Sequence, residues 1–331
     1  MNQANTQVVT GQGASPGDLD FVGNSQASVI KNGGDFDHPA FRSNASLRDD
    51  QWKEIDDAVL EISREVQNGI ADIRDAGLVR ETSLGTLFSQ YETVTGTGDA
   101  EVTMSGEASD ERNRVETTLN TVPVPFITKG FSFSARFQDS AQRDPGDLIS
   151  AKVEDATFRV NKKLEDILFN GSRFTVDGNT INGYTDHPDR NQTSAAGGWD
   201  TVSNIYGTIE NMMSDLESAG YPAPWILYVA DPQFGEMRAQ NTNTDTRVLD
   251  TVRDYDELQA VRRNPALPDG EAVMIKPSRR VVDLVLAEDV SAIEAEGKFG
   301  RTIDMQIAGV MAPRVKSDDA GNSGVSHVTE I

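Results

Sequence analysis

Apolar residues recur at intervals of three and four along one segment in the middle of the chain. The members of this stripe are Ile149, Val153, Ala156, Val160, Leu164 and Ile167. Such spacing places them on one face of a helix, which we predict over residues 145–169. Asp144 can cap its start and Pro145 suits its first turn, while Asn170-Gly171 is a typical stop. At about 1.5 Å per residue the helix is about 37 Å long, nearly the span of a small domain.

A second apolar stripe predicts one helix that begins at Asp49 or Asp50 and closes at Gly77. Its members are Trp52, Ile55, Val59, Ile62, Val66, Ile70 and Ile73. The preceding residues 1–46 are rich in Asn, Gln, Gly and Ser and show no apolar periodicity. Such a polar arm cannot offset its ordering entropy by burying itself, so we expect a neighbouring subunit to hold it. The alternative is an arm that folds back on its own domain.

Short β-branched segments follow at 91–95, 102–104 and 115–122, with glycine-rich breaks between them. They predict a long two-stranded excursion across 80–125 that has few large apolar residues. A solitary hairpin is marginal in water, so we expect this one to lie on another chain. Alternating phenylalanines then predict a strand over 126–137 that returns to the core.

The long helix is followed by a tight hairpin at Asp177-Gly178 and by the sequence Gly-Tyr-Thr-Asp-His-Pro at 183–188. A linker rich in Pro, Gly, Ser and Asn over 187–198 then opens a second region. Its first helix is predicted over 203–219. The residues expected on the inward face of that helix are Tyr206, Ile209, Met213 and Leu216.

The second region continues with a buried strand over 225–230 and a short helix capped by Asp231-Pro232. Further strands are predicted at 272–275, 281–286, 302–307 and 310–315. The predicted strands gather towards the end of the chain. This order predicts an α+β fold.

Acidic residues outnumber basic ones by 53 to 30, which gives a formal net charge of −23. Asp exceeds Glu by 33 to 20, and Arg exceeds Lys by 21 to 9. Self-repulsion on this scale destabilises a compact fold at low ionic strength, whereas the Debye length falls to about 3 Å at about 1 M salt. The balance indicates a halophilic protein, and the alternative is an ordinary acidic mesophilic one. No basic stripe typical of a nucleic-acid reader is visible.

The side chains that usually carry chemistry form no recognisable constellation. The chain has no cysteine, which excludes disulfides, thiolate metal sites and cysteine nucleophiles. Its histidines, His38, His187 and His327, lie apart in arm, linker and tail, and Asp186-His187 is better explained by local hydrogen bonding than by catalysis. We therefore predict no enzyme activity and no cofactor, and no metal-ligand set stands out. The chain also lacks a membrane-length apolar run and an opening signal segment, which predicts a soluble, non-secreted protein.

The order of these elements resembles the major capsid proteins of the Hong Kong 97 type, especially the encapsulin-like branch. In that family a helix runs into a Phe-Asn-Gly-like stop, here 169–171, and a Gly-Leu-Leu-Asn-His-Pro-like turn follows, here 183–188. The resemblance covers roughly residues 45–315 and is most specific at 164–188. With the halophilic composition, it implies the shell protein of a tailed virus of haloarchaea.

The resemblance divides the chain into an arm, a first helix, an extended β loop, a peripheral domain, an axial domain, and a return segment with a C-terminal tail. The helix at 145–169 is the spine of the peripheral domain. In order, the units occupy 1–46, 47–79, 80–125, 126–199, 200–300 and 301–331. The motif residues of the spine helix and its following turn are Asp144, Pro145, Asn170, Gly171, Gly183, His187 and Pro188.

The resemblance also implies partners. Copies of the chain would form hexamers and pentamers of one icosahedral shell, with portal, scaffolding and cement proteins from other chains. The shell would enclose double-stranded DNA without strong sequence-specific binding, in a virion assembled in the host cytoplasm. The founding member crosslinks a lysine of its extended loop to a neighbour, but no lysine occurs here between Lys53 and Lys129, so we expect noncovalent contacts.

Two alternatives remain open from the sequence. An encapsulin-type shell of the same fold would hold cargo protein instead of DNA. A soluble halophilic enzyme with an acidic-residue metal site is a more distant alternative, because no ligand constellation supports it.

Overall fold

A computed structural model describes residues 49–94, 104, 117–134, 147–240, 246–295 and 302–331. The predicted arm over 1–46 lies outside the described residues. The same holds for Asp144 and Pro145, the predicted start of the long helix.

The described residues contain three longer helices and three short ones. In chain order they are α1 (Asp49–Val66), α2 (Gly69–Asp75), α3 (Asp147–Asn170), α4 (Val202–Ser218), α5 (Asp231–Met237) and α6 (Val248–Arg253). The long helix predicted over 145–169 is present as α3. Its predicted stripe is buried from Val153 to Ile167, as the spacing requires.

The strands gather into two sheets and two hairpins. The first six are β1 (Val79–Glu81), β2 (Phe88–Val94), β3 (Thr117–Pro123), β4 (Phe126–Ser134), β5 (Ser172–Val176) and β6 (Asn179–Ile181). The remainder are β7 (Asn191–Thr193), β8 (Trp225–Val229), β9 (Leu258–Arg263), β10 (Ala272–Ile275), β11 (Val282–Ala295), β12 (Thr302–Val315) and β13 (Val325–Val328). The predicted strand over 126–137 is thus described as far as Ser134.

The first sheet has four strands in the order β1-β11-β12-β4. β1 runs parallel to β11, and the other neighbours are antiparallel. α3 packs on this sheet through Val160 and Leu164, which share one buried cluster with Ile307 and Met311 of β12. α1 contributes Ile55 to the same cluster, so the sheet and both helices have a common core.

The second sheet has five strands in the order β7-β13-β10-β8-β9. Its centre is apolar on both faces, because every residue of β8 and β10 is buried. α4 covers one face with Ile205, Ile209 and Met212, and these side chains pack in one cluster with Trp225 and other buried residues of the sheet. The other face points towards the core shared with α3.

The base of the β2–β3 hairpin packs on its own subunit. Val122 and Val124 are buried in one cluster with Ile167 of α3 and Ile181 of β6, and the Tyr91 hydroxyl donates to Val315 O at 3.3 Å. The two-stranded pairing is as predicted, but the expectation that this hairpin lies on another chain is wrong for its base. The rest of the predicted loop lies almost wholly outside the described residues.

The first predicted helix is also wrong in one respect, since it is broken between Val66 and Gly69. The side chain of Gln67 turns inward and donates to Asn161 Oδ1 of α3 at 2.7 Å. Gly69 then begins α2 with no space for a side chain, because a Cβ there would lie 2.7 Å from Phe169 Cε2. The apolar periodicity continues through the break, which hides it from the sequence.

Two predicted strands, 302–307 and 310–315, are one strand in the structure. Ala308 and Gly309 continue the antiparallel ladder with Thr128 and Ile127 of β4, so the expected interruption is absent. A glycine inside an apolar segment suggests a break in the strand. Here the pairing with β4 continues through Gly309, while the ladder with β11 shifts register opposite it, between Glu288 and Ser291.

Four further expectations need correction. The linker contains β7, and the C-terminal tail contains β13, which lies inside the second sheet between β10 and β7. The buried face of α4 comprises Ile205, Thr208, Ile209, Met212 and Leu216, while Tyr206 and Met213 are only half-buried at its edge. Asp231 is the first residue of α5 and not its cap, a position that Ala230 occupies.

Among the described helices, none has the length and apolar character to span a membrane.

Leu164 offers a direct test of how α3 packs, because its side chain is 2% exposed between the helix and the first sheet. Leu164→Ala is expected to lower the free energy of unfolding by about 3 kcal/mol, from lost burial and the cavity left behind. Denaturant unfolding of the subunit measures it. Glu154→Ala, at an exposed position of the same helix, should change stability by less than about 0.5 kcal/mol. Equal losses in the two variants would contradict this packing.

Candidate functional site at the end of the long helix

The long helix ends at a position that requires glycine. Asn170 is the last residue of α3, and Gly171 follows with a φ of +69°, in the left-handed region. The Gly171 N–H still donates to Ile167 O at 3.0 Å. A Cβ on Gly171 would lie 2.7 Å from Asp186 Cγ, so a side chain is excluded both by backbone strain and by lack of space. The predicted Asn-Gly stop is therefore the observed end of the helix.

The turn that begins at Gly183 closes over this helix end. The Tyr184 N–H donates to Leu168 O at 3.1 Å, and the Thr185 N–H donates to Phe169 O at 2.8 Å. Both acceptors belong to the last helical turn, whose carbonyls have no partner within the helix. A Cβ on Gly183 would lie 2.6 Å from Phe169 O, so this close backbone contact depends on glycine. We call the helix end and this turn the joint.

The side chain of Asn170 ties the joint to the second sheet. Its Nδ2 donates to Asp166 Oδ1 at 2.9 Å and to Ala266 O, in the loop after β9, at 2.6 Å. Its Oδ1 accepts from Thr185 Oγ1 at 3.2 Å. One amide group therefore links the helix, the turn and the second sheet.

Three aromatic rings fill the interior of the joint. Phe169 meets Tyr184 edge-on at a centroid distance of 5.2 Å and meets Tyr228 of β8 at 5.0 Å. All three side chains are fully buried. The Tyr228 hydroxyl donates to Asp72 Oδ2 of α2 at 2.9 Å, and Asp72 pairs with Arg262 of β9 at 3.0 Å. The cluster therefore connects α3, the turn, α2 and the second sheet.

Glu165, one turn before the aromatic cluster, is the most deeply buried carboxylate of the joint. It accepts from the Gly69 N–H at 2.5 Å and the Ile70 N–H at 3.4 Å, where α2 begins. It also accepts from Asn264 Nδ2 at 2.9 Å, just after β9. Burial raises the pKa of Glu165 to about 7, and these hydrogen bonds oppose the rise without cancelling it.

The predicted motif residues do not all meet in one place. Asn170, Gly171 and Gly183 come together in the joint, whereas His187 and Pro188 lie just beyond it. His187 is buried, its N–H donates to Gly183 O at 3.2 Å, and its Nδ1 accepts from the Asp189 N–H at 3.2 Å. This is the local hydrogen-bonding role that the sequence favoured over catalysis.

Arg190 connects the histidines that the sequence places far apart. Its Nη1 donates to His187 O at 3.0 Å and its Nε donates to His327 Nδ1 at 3.2 Å. His327 in turn contacts Glu271 Oε2 at 3.0 Å, and burial lowers the pKa of both histidines. Within the described residues, no group of three or more acidic or histidine side chains is arranged to hold a metal ion.

Sequence reasoning missed the buried polar residues that hold the joint. Glu165, Asp72 and Asn264 lie on three separate elements, and no spacing rule joins them. A weak signal existed for Glu165, because it follows Leu164 on the apolar side of the stripe, where a carboxylate is unusual. Tyr228 was placed correctly in a buried strand, but its bond to Asp72 depends on tertiary contact.

A family model described as a family of unknown function, DUF6260, matches residues 42–328 of the chain. The chain belongs to this family. No curated protein matches its sequence. The family match covers the joint and both sheets but supplies no activity.

Solved structures share the architecture. A virus-like particle from Pyrococcus furiosus matches with a TM-score of 0.59 at 12% identity, covering 84% of this chain and 99% of that one. The capsid of Myoviridae phage XM1 matches at 0.57 and 15% identity, with coverages of 78% and 91%. A chain of Mycobacterium phage Bobi matches at 0.54 and 14% identity, with coverages of 78% and 89%. The fold is therefore the Hong Kong 97-type capsid fold, which confirms the predicted resemblance at the level of fold.

Gly183 tests the close backbone contact of the joint. Gly183→Ala is expected to lower the free energy of unfolding by about 2–3 kcal/mol, because its Cβ would force the turn away from Phe169 O. Thermal or denaturant unfolding measures the change. Gly85→Ala is the matched control, since a Cβ there meets nothing within 4 Å, and it should be nearly neutral. A Gly183 variant as stable as that control would show that the turn does not depend on this contact.

The pKa of Glu165 predicts how stability depends on pH. An unfolded glutamate titrates near about 4.3. Between there and about 7, the folded protein retains a proton that the unfolded chain has lost, so the free energy of unfolding falls as pH rises through this window. The fall is at most about 4 kcal/mol. Denaturant unfolding at a series of pH values between about 4 and about 8 measures this fall in the free energy of unfolding.

Glu165→Gln should remove most of this fall, because the amide oxygen can still accept from Gly69 and Asn264 and carries no proton to lose. Burial, with a smaller contribution from Asp289, also raises the pKa of Glu288 to about 7. Glu288→Gln is therefore the comparison variant. It should change the pH dependence of the free energy of unfolding less than Glu165→Gln does, because the Glu288 side chain is less buried. An unchanged pH dependence in the Glu165 variant would contradict the assignment.

Proposed function

We propose that this chain is the major capsid protein of a tailed virus of halophilic archaea and self-assembles into the icosahedral shell around double-stranded DNA. The observation that carries the proposal is the fold, shared with two phage chains and a virus-like particle over at least 89% of their length. A match over nearly the whole of each neighbour leaves little room in them for a separate catalytic domain. A structural, non-enzymatic role in a virion follows.

Exposed apolar side chains near the hairpin base support assembly. Leu87 is 72% exposed, Leu119 56% and Phe126 53%. Leu87 and Phe126 lie close together in the fold, because Leu87 O accepts from the N–H of Val124. Large apolar residues concentrated in one part of the surface are typical of an interface, and a neighbouring copy would bury them.

The two sheets supply the domains of this proposal, but they do not follow the predicted bounds of 126–199 and 200–300. β11 lies in the first sheet, and β7 and β13 lie in the second, because strand pairing joins segments far apart in sequence. The first sheet with α1 and α3 is our proposed peripheral domain, and the second sheet with α4 is our proposed axial domain. In this assignment Asn170, Gly171 and Gly183 fix the angle between the two domains, and His187 and Pro188 begin the connection. Asp144 and Pro145 keep their proposed role as the start of the spine helix, outside the described residues.

The partners are likewise proposals. Copies of the chain would form hexamers and pentamers, with portal, scaffolding and cement proteins supplied by other chains. The acidic composition suits a container for DNA, because a lining that bound the genome tightly through lysines would hinder its movement. A haloarchaeal host is supported by the net charge of −23 and by the excess of Asp and Arg.

A second candidate is a cellular shell that holds cargo protein. The match to the virus-like particle favours it, because that chain is covered over 99% of its length at the TM-score of 0.59. The two candidates share fold and assembly and differ only in what the shell encloses. Nuclease-protected DNA in particles from the native source supports the virion, and a co-purifying enzyme without DNA supports the cargo shell.

Assembly is tested by electron microscopy and sedimentation of the purified chain in strong brine and in dilute buffer. The expected result is closed particles of megadalton mass, formed most readily in brine, where screening removes the repulsion between acidic subunits. Leu87→Ser with Phe126→Ser should reduce particle yield while the subunit stays folded. A chain that stays monomeric or dimeric at every salt concentration would contradict a shell role.

The halophilic assignment makes a separate prediction. Raising the salt concentration from about 0.1 M to about 1 M should increase the midpoint of thermal unfolding, because the Debye length falls to about 3 Å and net repulsion within the subunit is screened. Sodium chloride and potassium chloride should act alike, since screening depends on ionic strength. A midpoint that is constant or falls across this range would favour the ordinary acidic mesophilic protein.

A further inference from the structure

Several positively charged side chains gather beside the base of the β2–β3 hairpin. A cleft of about 680 Å³ opens there between β1, the hairpin and the end of β12. Its lining includes four cations, Arg80, Arg279, Arg314 and Lys316. In a chain whose net charge is −23, such a gathering is unexpected from composition alone.

The guanidinium nitrogens of Arg314 all donate hydrogen bonds to groups of its own subunit. Its side chain is 1% exposed and forms a two-pronged ion pair with Asp283, with Nε to Oδ1 at 2.6 Å and Nη2 to Oδ2 at 2.5 Å. Its Nη1 donates to Ser89 Oγ and Gln90 O, both at 3.1 Å. These bonds dock the hairpin on the subunit, so Arg314 is not free to bind another molecule.

Asp283 must serve a second cation as well. Lys316 Nζ lies 2.6 Å from Asp283 Oδ2 and also donates to Arg279 O at 2.8 Å. Two cations therefore share one carboxylate, and both lie over the Tyr91 ring, at 5.5 Å for Arg314 and 5.6 Å for Lys316. At the floor of the cleft, the two positive charges of Arg314 and Lys316 therefore face the single negative charge of Asp283, which leaves one positive charge in excess.

Arg80 and Arg279 extend this surplus to the rim. Both side chains belong to exposed residues. Arg279 Nη2 donates to the backbone carbonyl of Gly77 at 3.2 Å, a neutral acceptor that does not compensate its charge. The charge of Arg80 reaches the floor, where it helps to lower the pKa of Lys316 after the larger effect of burial. Against the four cations, the lining includes the carboxylates of Asp283 and Glu92.

We propose that this cleft receives a carboxylate-bearing segment of a second copy of the chain and is one of the contacts between shell subunits. The inference rests on the proposed function for the second copy. Acidic residues outnumber basic ones by 53 to 30, so the surface of another copy is the carboxylate-rich partner present at the highest concentration. Because the guanidinium groups present fixed planar donors, they suit carboxylates at contact distance.

The geometry favours protein carboxylates over nucleic acid. A nucleic-acid interface carries cations along a track, whereas these four lie in one cleft that also contains two carboxylates. An ion pair inside a partly enclosed cleft is also screened less by salt than a pair on open surface. The contact can therefore persist in brine, where long-range attraction between subunits is lost.

Charge reversal at adjacent positions gives a matched test. Arg279→Glu places a carboxylate at the rim, whereas Arg280→Glu makes the same charge change at the next exposed residue, which does not line the cleft. Arg279→Glu and Arg80→Glu should each raise the subunit concentration needed for assembly at least tenfold. Arg280→Glu should stay within twofold of the unmodified chain, and all three subunits should keep their unfolding midpoints. Equal assembly by the Arg279 and Arg280 variants would overturn the proposal.

Zero-length coupling tests the partner directly. Arg279→Lys keeps the charge and supplies an amine, and a carbodiimide then joins it only to a carboxylate in contact. Subunits labelled with ¹⁴N and ¹⁵N are mixed before assembly, so a crosslinked peptide pair of mixed isotopes must come from two copies. Mixed pairs at this lysine, absent from an Arg280→Lys control, are expected. Crosslinks only within one isotope would overturn the proposal.

These outcomes separate the cleft from the shell. If the unmodified chain assembles and the cleft variants do as well, the cleft proposal fails and the shell role stands. If the chain forms no particles yet gives mixed-isotope crosslinks as a dimer, the contact stands and the shell role fails. Loss of retained DNA with unchanged assembly in the Arg279→Glu variant would overturn the proposal in favour of a nucleic-acid contact.

Discussion

The close approach of two backbone segments at the end of α3 is the constraint on which the rest of the fold depends. The turn at Gly183 supplies donors to the carbonyls of Leu168 and Phe169, and neither Gly171 nor Gly183 has space for a side chain. Because the chain leaves the helix in this one direction, the second sheet meets the first at a fixed place. Aromatic packing and buried hydrogen bonds then hold that arrangement.

Basic side chains form ion pairs with two of the buried carboxylates. Arg314 pairs with Asp283 under the hairpin, and Arg262 pairs with Asp72 beside Tyr228. Glu165 has no such cation and relies on N–H donors, which explains why burial dominates its pKa. A chain with a net charge of −23 therefore pairs two of its buried carboxylates with cations, leaves a third to N–H donors, and still has one cleft where cations exceed carboxylates.

Local patterns predicted α3 well because its stripe, its stop and its exposed face all follow helical periodicity. They predicted β8 and β10 for a similar reason, since short apolar runs bounded by turns are typical of buried strands. They failed at Gln67, where a tertiary hydrogen bond to Asn161 interrupts a continuous apolar period. They failed again at β13, because four residues near the chain end give too little pattern to show that they complete a distant sheet.

The sequence by itself determined the long helix and its glycine stop, the α+β class, the strongly acidic charge balance and the resemblance to the capsid family. These depend on spacing and composition, which one chain displays without being folded. Only the tertiary structure decided that Glu165, Asp72 and Asn264 meet at the joint, that the hairpin base packs on its own subunit, and that cations gather beside it. Each joins residues far apart in sequence, and contacts of that kind are set by packing, for which no local pattern exists.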